Sequence, residues 1–325
     1  MTSSLILITE PSADYELIDS GDGEKLERFG DVTLVRPVPQ ALWSRQVGES
    51  VWSNATARFI QDTRDSCWVF RDGAKTDAAA ADWSIKIGEL SFLLGFSSFK
   101  HTGIFPEQAP NWNWIAETIR RASDRGAKKE ATKISVLNLF GYTGGATLAA
   151  ASAGAEVCHV DASKVSIARA KKNAELSGLA DAPIRFILDD VMAFVKREVR
   201  RGKKYDGIIM DPPAFGRGPD GEVWKIEKDL PKLIAACREI LTDQPLFVLI
   251  NGYAAGYSPL AYRNILQSLL PRSAGKKSPA LAAEMEIECG ELTIRESTRD
   301  AASSRLLPAG IFARARRTSS APHRQ

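Results

Sequence analysis

Apolar positions are spaced in two different ways along the chain, and the change falls near residue 100. Before it, short runs rich in Val, Trp and Thr at 32–35, 67–70 and 83–87 are separated by turn signals, among them Asp22-Gly23 and Asp72-Gly73. Brief extended runs between Asp-Gly turns predict antiparallel strands and hairpins. A helix is expected around 40–45, and the alanine run 78–81 reads as a loop or a helix start. Beyond Pro106 the texture alters. Trp114, Ile115, Ile119 and Ala122 recur at helical spacing within 110–127. Apolar β-type runs follow at 134–140, 156–160, 184–188, 207–210 and 246–250, with helical stretches at 146–153, 163–176, 191–201 and 223–241. Such alternation predicts a parallel sheet covered on both faces. Two further strand-like runs, 285–294 and 310–315, close the pattern, and a polar, disordered tail is expected at 318–325.

At 325 residues the chain is long enough for two domains, and a 44% hydrophobic share is enough to build a real core. No run of 18 uncharged apolar residues occurs, so no transmembrane helix is expected. The opening residues MTSSLILITE lack the basic flank and cleavage site of a secretory signal, which predicts a cytoplasmic protein. Cys67, Cys158, Cys237 and Cys289 are scattered without a CxxC pair, against both zinc spacings and a disulfide framework. His101, His159 and His323 are equally dispersed, and no metal centre is expected. A net charge of +3 is compatible with an anionic partner without requiring one. Basic clusters such as Arg120/Arg121 and 196–204 read singly as solvated faces.

Candidate chemistry sits where the apolar runs end. The first runs into Asn138-Leu139-Phe140-Gly141-Tyr142-Thr143-Gly144-Gly145. A glycine-rich turn between strand and helix lets a ligand approach the backbone, or serves only strand–helix packing. Its spacing is not GxGxxG, which argues against a dinucleotide pyrophosphate. Asp161 ends the next strand, 20 residues beyond Gly141, placed to accept hydrogen bonds from ribose hydroxyls or to cap the helix beginning at Ser163. Asp189 and Asp190 follow the third strand. One of them suits an adenine amino group, with Val191 or Met192 over the ring, and helix capping explains the pair equally well. The fourth strand ends in Asp211-Pro212-Pro213-Ala214-Phe215, the most specific feature of the chain. Two prolines fix φ and remove two donors, which makes a rigid extended segment rich in acceptors. Asp211 and the Pro212 carbonyl can hold the hydrogens of a base amino group, and Phe215 can stack on the base. These features fall at the carboxyl ends of successive strands, where open α/β sheets bind ligands.

Together these residues resemble class I S-adenosylmethionine-dependent methyltransferases. Within that class they are similar to the bacterial 23S rRNA large-subunit methyltransferase group, whose members carry a strand ending in Asp-Pro-Pro-x-Phe. The segment Phe-Lys-His-Thr-Gly-Ile-Phe-Pro-Glu-Gln at 99–108 resembles that group's Gly-hydrophobic-Phe-x-x-Gln stretch, and the resemblance spans about 95–315. It implies a Rossmann-like, seven-stranded, mainly parallel sheet with an antiparallel last strand, preceded by a small β-rich unit. The expected division is 1–100 for that unit, with a possible substrate-binding role, and 101–317 for the methyltransferase domain. S-adenosylmethionine is the implied cofactor. Gly141, Thr143 and Gly144 would line its methionine part, Asp161 would hold the ribose and Asp190 the adenine. Gln108, Asn138, Phe140, Tyr142, Ala162, Val191 and Asp211 complete the implied cofactor site. Asp211, Pro212 and Phe215 would face the methyl acceptor, with Asp211 beside the transferred methyl. Asn138 stands where the class often has an acid, which implies a weaker or water-mediated contact with the cofactor's ammonium. No cysteine lies in 211–215 or 250–257, which disfavours cytosine C5 methylation. The implied acceptor is a base nitrogen of RNA, in ribosomal RNA. The alternatives are a nucleotide-dependent oxidoreductase, an RNA-binding protein without turnover, and a methyltransferase for a protein or small molecule.

Overall fold

The computed structural model describes residues 4–61, 66–71, 82–124, 133–218, 221–253, 256–270, 285–297 and 304–318. The alanine run 78–81 and the tail beyond 318 lie outside the described residues. The first hundred residues supply β1 (Leu5–Thr9), β2 (Tyr15–Gly21), β3 (Glu24–Phe29), β4 (Val32–Pro37), α1 (Glu49–Ser53), β5 (Ala57–Ile60), β6 (Cys67–Phe70), β7 (Trp83–Ile87) and β8 (Leu90–Leu94). A 3-10 turn, Pro106–Gln108, leads into α2 (Ala109–Asp124). Then come β9 (Ser135–Leu139), α3 (Gly145–Ser152), β10 (Glu156–Asp161), α4 (Lys164–Leu176), β11 (Ile184–Leu188), α5 (Val191–Arg201) and β12 (Gly207–Met210). A short hairpin of β13 (Phe215–Arg217) and β14 (Val223–Lys225) precedes α6 (Ile226–Ile240). The remainder is β15 (Phe247–Gly252), α7 (Pro259–Leu269), β16 (Met285–Arg295) and β17 (Leu306–Arg317).

The principal sheet has the order β1-β16-β17-β15-β12-β9-β10-β11. All its pairs are parallel except those of β17, which runs antiparallel to both β15 and β16. The seven expected strands are all present. An eighth, β1, extends the edge by pairing in register with β16. That strand comes from the segment expected to form the separate β-rich unit. Leu5 and Leu7 pack against the sheet's core, and nothing local in Leu-Ile-Leu-Ile specifies which sheet edge it joins.

The central strands read as continuous apolar runs because both faces are covered. Alternate residues divide between two cores. Leu137, Leu139, Val160, Ile208, Met210 and Ile250 meet α5, α6 and α7, whereas Val136, Val157, Ile209 and Leu249 meet α2 and α3. Three helices start on side-chain caps: Ser163 Oγ accepts from the Ser166 N–H, Asp190 Oδ1 from Ala193, and Ser258 Oγ from Leu260.

Strands β2 to β6 form a second sheet and β7 pairs with β8. This unit shares a continuous core with the larger sheet, with Phe92, Leu94 and Ile104 in one cluster with Trp112, Leu148 and Ala174. The expected helix at 40–45 is absent. The Trp43 and Ala41 carbonyls instead accept from the Asp22 and Gly23 N–H groups at 2.7 and 2.9 Å, and the helical turn comes later, at α1.

A buried ionic network ties β2 to the β16–β17 connection. Arg305 donates to Asp19 at 2.7 Å and to Glu296 at 2.8 Å. Glu296 also accepts from the Ser20 N–H and Oγ, and Asp19 from the Gln46 and Val47 N–H groups and Trp52 Nε1. Arg305→Met would leave two fully buried carboxylates without their cation. The expected cost is about 3–5 kcal/mol, read by urea denaturation; a loss below about 1 kcal/mol would show the network to be dispensable. Among the described residues no helix is long and apolar enough to cross a membrane.

Candidate active site

Chain direction through the sheet sets where a ligand can sit. From β9 the chain moves outward to β10 and β11, then returns to place β12 on the opposite side of β9. The carboxyl ends of β9 and β12 therefore flank a topological switch point, where the two following loops separate and leave a crevice. A cleft of about 1610 Å³ opens there. Gln108, Asn138, Phe140, Gly141, Tyr142, Thr143, Gly144, Asp161, Ala162, Asp190, Val191, Asp211 and Pro212 all line it. Phe215 does not.

The turn after β9 is strained and firmly held. Phe140 and Tyr142 have φ of 57° and 48°, left-handed values that non-glycine residues adopt at a cost, and Gly144 has φ 96°. Hydrogen bonds fix this shape. The Tyr142 N–H donates to Asp161 Oδ2 at 2.8 Å and the Gly141 N–H to the Val160 carbonyl at 3.0 Å. Thr143 Oγ1 donates to the Gly103 carbonyl at 2.6 Å, and Asn173 Nδ2 to the Thr143 carbonyl at 2.9 Å. A Cβ on Gly141 would lie 2.5 Å from the His159 ring, so packing beneath the turn also demands that glycine.

Asp161 does two jobs. Oδ2 holds the turn and Oδ1 accepts from the Ser163 N–H at 2.8 Å. A carboxylate has about four acceptor positions, so about two are left for hydroxyl groups in the cleft. Burial raises its pKa, opposed by the two backbone donors. Of the acidic pair after β11, Asp190 faces the cleft while capping α5, and Asp189 pairs instead with Arg197. Asn138 Nδ2 donates to Thr147 Oγ1 at 2.9 Å, which in turn contacts His159 Nδ1 at 2.9 Å. That leaves the Asn138 amide oxygen as the group to meet a cation. Gln108 is buried, its Nε2 donating to the Tyr253 hydroxyl at 2.7 Å and its Oε1 accepting from Asn111.

Asp211 stands at the end of β12, its N–H reaching the Leu139 carbonyl at 3.4 Å. Among the described residues none donates a hydrogen bond to its carboxyl. Burial, and secondarily the Glu107 carboxylate, push its pKa up to about 7. The rigid segment behaves as its prolines dictate, but one carbonyl is already used: Pro213 accepts from Trp224 Nε1 at 2.7 Å. The Pro212 carbonyl and Asp211 are the acceptors left at this rim. Phe215 is a correction to the sequence reading. It lies on the β13–β14 hairpin opposite Lys225, is 55% exposed and is not among the residues lining the cleft, although its neighbours Pro213, Gly216 and Arg217 are.

Other groups in the cleft were not singled out from sequence. Phe105 packs against His101, Tyr142 and Tyr253, with ring centroids 5.1, 5.6 and 5.3 Å away. Tyr253 lies just past the end of β15, and an aromatic residue directly beyond a β-type run was the available signal. Glu107 is buried beside Gln108 with its pKa raised, chiefly by burial. Lys25, Arg36 and Lys100 reach the cleft from the β-rich side, where charges alternating along strands carry no local sign of function. None of the four cysteines lines the cleft; Cys67 is exposed elsewhere and the others are buried.

These residues fit an adenosine-type cofactor carrying an ammonium group. The Asp161 lone pairs, the Asp190 rim with buried Val191, the left-handed turn and the Asn138 oxygen supply acceptors in the needed order along one wall. The wider comparisons agree. The sequence profile of the S-adenosylmethionine-dependent methyltransferase family matches residues 71–260. A solved SAM-dependent methyltransferase from Agrobacterium tumefaciens is 41% identical, with a TM-score of 0.84 over 96% of this chain and 93% of that one. Ribosomal RNA large subunit methyltransferase K of Neisseria meningitidis is 26% identical over 71% of this chain and 64% of its own length. Ribosomal RNA large subunit methyltransferase K/L of Shewanella frigidimarina is 30% identical over 73% of this chain, which spans 34% of that protein. With more than half of its length inside the family profile, the chain belongs to the S-adenosylmethionine-dependent methyltransferases.

Proposed function

We propose that the chain transfers the methyl group of S-adenosylmethionine to a base nitrogen of RNA, within ribosomal RNA in the cytoplasm. The observation that carries this reading is the end of β12, where Asp211 and the Pro212 carbonyl share one cleft with the Phe140–Gly144 turn and Asp161. When bound, the cofactor supplies a methyl group made electrophilic by its sulfonium. Asp161, Asp190 and the turn would hold it. Asp211 and the Pro212 carbonyl accept the hydrogens of the acceptor nitrogen and so aim its lone pair. Positioning of this kind contributes up to about 7–11 kcal/mol in favourable cases. Asp211 then receives the proton that the methylated nitrogen gives up. Phe105 and Tyr253 offer ring faces for the base in place of Phe215. Ring-carbon methylation of cytosine needs a thiolate nucleophile, and no cysteine is within reach of the cleft. RNA as the acceptor is supported by the rRNA methyltransferases among the relatives and by the cationic residues on the opposite wall.

Transfer of labelled methyl from the cofactor to RNA, DNA and protein fractions, followed by nucleoside analysis, tests the reading. Label is expected in RNA as an N-methylated nucleoside. Label confined to protein, or found on pyrimidine C5, would sink it. The pH dependence follows from Asp211. Its ionised form is the acceptor and its pKa is raised to about 7, so kcat/KM should rise with pH through about 7 and level off above. Glu107→Gln removes the second cause of the shift and should move the midpoint down. A profile flat between about pH 5.5 and 8.5 would rule out a role for the carboxylate.

A further inference from the structure

The cleft has a second wall whose charges the methyl transfer does not use. Lys25 on β3 and Arg36 on β4 are direct cross-strand partners. Like charges so placed repel, which needs an offset. Glu27 supplies part of it, accepting from Lys25 Nζ at 3.0 Å, from Arg36 Nη2 at 2.6 Å and from the Tyr15 hydroxyl at 2.9 Å. With Arg36 Nε also donating at 2.8 Å, four donors occupy that fully buried carboxylate. Lys100 has no such partner. Among the described residues its ammonium reaches only the Pro37 carbonyl, at 3.3 Å, while Arg36 Nη1 donates to the Lys100 carbonyl at 3.2 Å. Burial, Lys25 and Arg36 all disfavour the charged form of Lys100. The same three cations, after burial, hold the His101 pKa down to about 4. The nearby carboxyls balance the group poorly, because burial raises the pKa of both Glu107 and Asp211.

We infer that Lys25, Arg36 and Lys100 form an oxyanion subsite that holds a phosphate of the substrate strand beside the base presented to Asp211. The subsite rests on the proposed polynucleotide substrate. Lys25, Arg36 and Lys100 line the same cleft as Asp211 and Pro212, with Glu107 between the cations and Asp211 electrostatically. The other oxyanion that enters this cleft is the cofactor's own carboxylate, and the two sources are separable.

Inorganic phosphate titrated into the whole protein at constant ionic strength, followed by ³¹P line broadening, is the direct probe. Cofactor affinity is measured in parallel by calorimetry on the same samples. The parent protein should bind phosphate, and Lys100→Gln should weaken that binding by about tenfold, the loss of one charge-assisted contact. Lys100→Arg should restore it. Phosphate should also raise the KM for RNA without lowering kcat. Absence of phosphate binding, or equal binding by Lys100→Gln, overturns the subsite. So does a matching loss of cofactor affinity in Lys100→Gln, which assigns the cluster to the cofactor's carboxylate. If phosphate binding behaves as expected but RNA accepts no methyl, the subsite stands and the RNA reading falls.

Discussion

Asp211→Ala is expected to lower methyl transfer by about 10²–10⁴-fold, the range of a positioned acid–base group. Cofactor affinity should stay within about twofold, because binding and chemistry draw on different groups. Apart from Gln108 in the 3-10 turn, the groups that would hold the cofactor lie on β9, β10 and β11 or just after them, whereas Asp211 follows β12. Folding should not suffer either. The carboxyl accepts no hydrogen bond among the described residues, and burial raises its pKa to about 7. An unfolded aspartate titrates near pH 4, so ionisation of Asp211 opposes folding from about pH 4 upward, in full above about 7. The alanine variant should therefore melt no lower than the parent in mildly alkaline buffer. Asp211→Asn keeps one acceptor oxygen but cannot take a proton, and its residual rate should lose the rise through neutral pH. Phe215→Ala is the control: with its ring exposed outside the cleft, transfer should stay within about threefold. Full activity in Asp211→Ala, measured with labelled cofactor, would remove the central residue of the proposal.

Asp161→Ala should produce the opposite signature, cofactor binding weakened by about 10²-fold or more with a smaller fall in kcat at saturation. Hydrogen bonds to a charged group are worth about 1.5–3 kcal/mol each, and in the proposed site this carboxylate would meet ribose hydroxyls while anchoring two backbone N–H groups. One of those anchors holds Tyr142 at φ 48°. Without it the turn has a lower-energy backbone available, and the cradle relaxes. Asp161→Asn is nearly isosteric yet should fail too. An amide NH₂ would face either the Tyr142 or the Ser163 N–H, donor against donor. Calorimetric titration decides the matter, and an unchanged Kd in Asp161→Ala would show that the ribose is held elsewhere.

Most of the residues that line this wall of the cleft were readable from the chain because they are consecutive with strand ends. Once 134–140, 156–160 and 184–188 are recognised as parallel strands, their carboxyl ends must share one edge. Gly141, Asp161 and Asp190 then converge without further information, and α5 was bounded correctly because Asp190 caps it and Gly202, at φ 63°, ends it. The acceptor side was harder. Phe215 follows Asp-Pro-Pro but sits exposed on a hairpin with a strand eight residues later, a contact no local pattern announces. Strand-end position alone left Asp189 and Asp190 equivalent; in the structure Asp190 caps α5 and lines the cleft, whereas Asp189 pairs with Arg197.

What the sequence by itself determined is the α/β alternation, the seven strands of the large sheet and the order of acceptors along its carboxyl edge. Periodicity and strand-end chemistry are local, and local patterns survive in one dimension. Tertiary structure alone decided that β1 completes the large sheet's edge, that Arg305 binds Asp19 and Glu296 from far along the chain, and that Lys25, Arg36 and Lys100 face the same cleft as Asp211. Each of these joins residues whose separation in sequence carries no periodic signal. The pairing of a sheet edge, the neutralisation of buried charge and the sharing of one core select such contacts only when the whole chain has folded.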